Sequence, residues 1–176
     1  MTAIGASLVD ANGCDNLSKR ANAFRNLGYR TTVVRDDDKQ PSGMMESIFV
    51  KMHGPIFKWR AGRALEDELF ISLSSAAVLE LLEYAIELHG EVLVEEHIKS
   101  TSSGKFGLAA CKENVMPDIR SHLAKACATK GTPWFKSVSA MEHCGREIVG
   151  PTLQASEEGF QTIVESIFGW IENARS

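Results

Sequence analysis

The residues best placed to do chemistry are Asp36, Asp37 and Asp38, which close the β-branched run Thr31-Thr32-Val33-Val34-Arg35. A strand rich in Thr and Val delivers its last side chains to the carboxyl edge of a sheet, where α/β proteins gather their reactive groups. Side chains two apart on an extended segment point the same way, so Asp36 and Asp38 face together and Asp37 faces away. Two like charges held that close are costly unless something neutralises them. Their hard oxygens suit magnesium, manganese or calcium better than zinc. The competing reading is a solvated acidic turn after an edge strand, so the surroundings have to discriminate.

A second set of acids lies in Ala64-Leu65-Glu66-Asp67-Glu68-Leu69-Phe70. On a helical wheel Leu65, Leu69, Phe70 and Leu73 share an arc of roughly 140°. Glu66 falls inside that arc, and Asp67 and Glu68 fall outside it. An acid on a packing face must be neutral, paired or metal-bound, so Glu66 either meets Arg60 or Arg63 or serves as a ligand. Glu66 and Glu68 lie about 200° apart on the wheel, which disfavours one shared ion. Lys136, in Thr132-Pro133-Trp134-Phe135-Lys136-Ser137, follows two aromatics and precedes a short helix that starts near Ser137. A lysine there can meet a phosphate or developing negative charge, and it can equally be a solvated surface group.

Other patterns are decoys. Ser103-Gly104-Lys105 ends like a phosphate loop, but position 99 is Lys and no strand precedes it. The five histidines form no HExxH pattern, and His143-Cys144 places a base and a thiol too close in sequence to cooperate.

The elements that must position these groups follow from periodicity. Ile4–Val9 reads as a buried strand closed by the turn Asp10-Ala11-Asn12-Gly13. Asp15 or Asn16 then caps a helix bearing Leu17, Ala21, Phe24 and Leu27, and Gly28 stops it. With the strand Thr31–Arg35 this makes a βαβ unit, hence a parallel pair with a right-handed crossover. Ile48–Met52 and Ile56–Trp59 read as further short strands after a loop marked by Pro41 and Gly54. Helices are expected over Ala64–Leu73, Ser75–His89, Glu91–Ser100, Glu113–Thr129 and Ser156–Ala174, with Thr101-Ser102-Ser103-Gly104 as a flexible connection. The fold class is therefore α/β, a partial parallel sheet on a βαβ core over residues 1–60 and a mostly helical region over 61–176.

A chain of 176 residues can bury a proper core. It has no apolar run of membrane-spanning length and no signal-peptide pattern. Cys14, Cys111, Cys127 and Cys144 are far apart and form no CxxC pair, which suits a reducing, cytoplasmic setting. A net charge of −4 gives no bulk attraction for nucleic acid, so phosphate chemistry would need local cations.

Three segments resemble the Toprim domain of the OLD-family (overcoming lysogenization defect) nucleases. They are Leu8-Val9-Asp10-Ala11-Asn12-Gly13, then Asn26-Leu27-Gly28, then Val33-Val34-Arg35-Asp36-Asp37-Asp38-Lys39. The resemblance extends more weakly through Trp59, Ala64–Leu69 and Phe135-Lys136-Ser137. It implies cleavage of phosphodiester bonds in DNA with two Mg2+ or Mn2+ ions, with Ca2+ as an alternative. Asp36 and Asp38 would hold one ion, Glu66 with Asp67 or Glu68 would help hold the second, and Lys136 would sit over the scissile phosphate. Such domains normally begin with a strand and helix bearing a catalytic glutamate, and no Glu precedes Glu46 here. The resemblance therefore implies the C-terminal portion of a larger nuclease, weak or inactive alone. Its partners would be DNA and an ATPase/N-terminal Toprim portion, in the same or another chain. An exposed sheet edge would favour a homo-oligomer. The alternative is a non-catalytic Toprim-like interaction or regulatory module. A receiver-like phosphotransfer protein is disfavoured, because strands and helices stop alternating after Asp38.

Overall fold

A computed structural model of the chain describes residues 5–41, 43–51, 54–60 and 62–173. It is mostly helical with one two-stranded parallel sheet, an α/β fold with a helical C-terminal region. Two compact units are present, Met1–Ala64 with Thr162–Ser176, and Leu65–Gln161. Residues 162–176 thus belong with the first unit rather than with the helices that precede them. Among the described residues no helix is long and apolar enough to cross a membrane.

In the first unit, a turn at Asp10–Gly13 leads through a 3-10 turn into α1 (Leu17–Asn26). Asp10 Oδ1 accepts the Asn12 amide at 2.7 Å, and Asn12 and Gly13 take φ of 55° and 106°. Asn16 occupies the N-cap position, but its side chain donates to Asn12 O at 3.0 Å instead of capping the helix. Gly28, at φ 86°, ends α1 as its place in the sequence implies. β1 (Val33–Arg35) then pairs in parallel with β2 (Ile56–Lys58), in the register Val33↔Ile56 and Arg35↔Lys58. Parallel neighbours need a crossover, and α2 (Gly43–Lys51) supplies it. Ala21, Val33 and Phe49 form the core, with Leu17 and Ile56 packed against it.

Two expected strands are absent. Residues 5–9 form no strand, Leu8 is fully exposed, and Gly5 takes a left-handed φ of 64°; Ile4 lies outside the described residues. The βαβ unit is therefore β1–α2–β2, not the one expected through Ile4–Val9. Ile48 to Lys51 is helical, and Met52 lies outside the described residues. A helix there buries Phe49 while leaving Ile48 and Val50 exposed, and it spans the gap between the two strands. Gly54 is required at its position: a Cβ would lie 2.4 Å from the Phe49 ring.

The second unit is a helical assembly. It comprises α3 (Leu65–Ser72), α4 (Ser75–His89), α5 (Glu91–Thr101), α6 (Leu108–Glu113), α7 (Pro117–Cys127) and α8 (Val138–His143). A π-helical turn, Cys144–Val149, and the short α9 (Gly150–Thr152) follow. Pro151 lacks the N–H that would reach the Glu147 carbonyl, and the helix widens just before it. The last described helix, α10 (Glu158–Glu172), starts in this unit and continues, from Thr162, in the first; the expected end at Ala174 lies outside the described residues. α4 begins where Ser74 Oγ accepts the Ala77 amide at 3.3 Å. The single helix expected over 113–129 is broken, because Pro117 forces the residue before it into extended backbone and then starts α7. Arg120 on α7 donates to Phe70 O at 2.9 Å and Leu73 O at 2.7 Å, satisfying carbonyls at the end of α3.

Candidate functional site

β1 ends at a buried cation. The Arg35 side chain is 3% exposed, and its Nη1 meets Asp37 Oδ1 at 3.2 Å while Nη2 meets Glu46 Oε1 at 3.2 Å. Asp37 is held from other sides as well. Gln40 Nε2 donates to Oδ1 at 3.2 Å, the Gly62 amide donates to Oδ2 at 3.2 Å, and Lys58 Nζ lies 3.5 Å from Oδ1. The Gln40 and Gly62 hydrogen bonds, with Lys58 assisting, hold the Asp37 carboxyl below its ordinary range. Its backbone N–H is fixed too, donating to Arg63 O at 2.9 Å.

The middle acid is thus consumed by the fold, while Asp36 and Asp38 on either side are exposed. The chain bends after Asp36 instead of continuing as a strand. Burial separates Asp37 from its two neighbours, Asp37 being half-buried and Asp36 and Asp38 exposed. The turn that precedes α1 reaches the same loop, because Cys14 Sγ donates to Lys39 O at 3.7 Å. Burial raises the Cys14 thiol, with Asp15, Glu46 and Asp38 adding and Arg35 opposing. A protonated thiol is a poor nucleophile, so Cys14 reads as a contact between loops. Sequence reasoning missed Arg35, Gln40, Glu46 and Cys14 as parts of this region. Only Arg35, a charge at an inward-facing strand position, carries a signal that could have been read.

Lys58 and Asp37 also line a groove of about 410 Å³ in the same unit, with Phe57, Trp59, Ile163 and Ser166.

The acids of α3 are arranged differently from the wheel. Glu68 is fully buried, and Glu66 and Asp67 are half-buried. This corrects the expectation that Glu68 lies outside the packing arc. The buried face extends past the leucines to Ser72, whose hydroxyl donates to Glu68 Oε2 and makes burial of that acid tolerable. Glu66 acts on Cys127 of α7, whose thiol is raised well above its ordinary range, mainly by burial.

Lys136 is exposed, set between buried Phe135 and Ser137, whose Oγ accepts the Ala140 amide at 3.1 Å and caps α8. Phe135 stacks on Tyr84 at 5.8 Å, and Tyr84 on His143 at 4.0 Å. Cys144 beside His143 is buried and its thiol is pushed up to about 11, which removes it as a nucleophile. All four cysteines are free.

Asp36 and Asp38 therefore sit in the first unit, and Glu66, Glu68 and Lys136 in the second. Among the described residues no group of three or more His, Cys, Asp or Glu side chains is gathered to hold a metal ion. No family model, curated protein or solved structure matches the chain.

Proposed function

We propose that this chain is a metal-dependent nuclease unit of the Toprim kind, hydrolysing phosphodiester bonds in DNA. The observation that supports this reading is the division of labour in the acid loop. Arg35, Gln40, Lys58 and the Gly62 amide engage Asp37, and Asp36 and Asp38 stay exposed beside it.

Two exposed carboxylates on a fixed loop have the donor chemistry of a hard divalent cation such as Mg2+ or Mn2+. Within the second unit, Glu66 keeps part of its surface exposed and is the better candidate ligand of the α3 acids; buried Glu68, bonded by Ser72, supports the helix from within. When bound, such ions activate water and stabilise a leaving oxygen. Lys136, in the second unit, is an exposed cation of the kind that meets a phosphate. An upstream glutamate-bearing segment and an ATPase domain are the partners this reading calls for.

The test is nicking of supercoiled plasmid with Mg2+ or Mn2+, by this chain alone and by the chain fused to a glutamate-bearing Toprim segment. The fusion should cleave, and Asp38→Ala should lower cleavage by at least about tenfold, as loss of a metal-site group does. Cleavage unchanged in Asp38→Ala would remove the acid loop from the site. A second reading, a non-catalytic interaction module, is favoured by the exposed apolar residues Leu8, Leu27 and Tyr29 of the first unit. Calorimetry showing no Mg2+ or Mn2+ binding by the fusion would select it.

A further inference from the structure

Trp134, two residues before Lys136, is clasped by two histidines. His97 on α5 is 8% exposed and uses both ring nitrogens. Its Nδ1 accepts the Trp134 indole N–H at 3.1 Å, and its Nε2 meets the Thr132 hydroxyl at 3.1 Å. An indole N–H can only donate, so Nδ1 carries no proton and the ring proton lies on Nε2, donated to Thr132. The backbone of Trp134 is fixed as well. Its N–H donates to Cys127 O at 3.0 Å, and its carbonyl accepts from His89 Nε2 at 2.8 Å. Downstream, the Ser137 cap fixes the start of α8. Lys136 lies between these two anchors.

We propose that His97 is a positioning residue for Lys136, holding the 132–137 segment in place only while its imidazole is neutral. The clasp stands on its own geometry; its value to catalysis rests on the nuclease reading above.

A second proton on Nδ1 would remove the acceptor and set one N–H against another. Burial opposes that proton, His89 from α4 opposes it further, and Glu96 on α5 itself favours it, leaving His97 below the ordinary histidine range. Several charged groups of the neighbouring helices have partners of their own. From α6, Lys112 pairs with Glu83 at 2.9 Å; Glu95 of α5 accepts the Leu108 amide; from α7, His122 Nδ1 meets Thr101 O at 2.9 Å. Because the folded value is depressed, the neutral clasp contributes its full stability above the unfolded histidine value, about 6.5. That stability is lost as pH falls through the lower folded value.

The test uses the full chain, labelled with 15N and free of metal and DNA, followed by NMR from about pH 7.5 to about pH 5. Protection of the Trp134 indole N–H should fall by up to about tenfold for each pH unit between about 6.5 and the lower folded value. The Lys136 amide order parameter should fall with it, from about 0.85 towards 0.6, while α4 amides keep their protection. His97→Gln offers an acceptor to Trp134 and a donor to Thr132 but cannot titrate, so its protection should be flat with pH. His97→Leu should lose indole protection at every pH. Wild-type protection that is flat, a His97→Gln profile matching wild type, or indole opening without a response at Lys136 would each overturn the proposal. Failure of DNA cleavage in the plasmid assay would instead count against the nuclease reading alone.

Discussion

The two units are held together by different physics. In the second, Val78, Leu81 and Leu82 of α4, Val94 and Ile98 of α5, Leu123 of α7 and Trp134 are all essentially removed from water. Among the described residues of the first, Ala21, Val33 and Phe49 form one small buried cluster, and Leu8, Leu27, Tyr29, Val34 and Val50 are exposed. What orders the loop after β1 is a buried guanidinium and its acceptors. Such a charged centre adds less net stability than apolar burial, since desolvation offsets much of the attraction, but it fixes directions. The contrast teaches where a site can be built. A dense core can clasp Trp134 and set Lys136 beside it, whereas the polar centre around Arg35 engages Asp37 and Glu46 while Asp36 and Asp38 stay exposed.

The largest effect should come from Trp134→Ala. Removing a fully buried indole that also donates to His97 should cost about 3–5 kcal/mol, read as a lowered midpoint of thermal unfolding. A smaller cost would mean that the second unit is less tightly packed than its burial shows. Next is Gly54→Ala, which drives a methyl into the Phe49 ring and should cost about 1–3 kcal/mol. Hydrogen exchange should register that loss in α2 and β1, sparing α4 and α5; equal loss in both units would erase the contrast between them. The mildest is Ser137→Ala, which removes the α8 cap and should cost about 1 kcal/mol in thermal unfolding. An unchanged midpoint would show that α8 is ordered by its neighbours rather than by its cap.

Legibility in the sequence follows the range of the interactions involved. α4 is readable to the residue at Ser75–His89, because its apolar spacing, Ser74 cap and terminal Gly90 are all local. The Gly28 stop and the helix beginning after Ser137 are readable for the same reason. Ile48-Phe49-Val50 reads as a strand but folds as helix, because a short apolar run does not declare its period and only the gap between β1 and β2 decides it. The candidate site divides in the same way. Alternation separates Asp37 from Asp36 and Asp38 but does not say which side is buried, and the wheel places Glu68 outside because it cannot count Ser72 as a buried partner.

The sequence by itself determined an α/β chain with a Thr/Val strand running into three acids, a set of capped amphipathic helices, and a lysine beside a helix start. Only the tertiary structure decided which segment partners β1, which acid the fold consumes, and that His97 holds Trp134. Those are contacts between residues far apart in the chain. Each depends on whether a polar atom finds its partner once water is excluded, and no local pattern records that outcome.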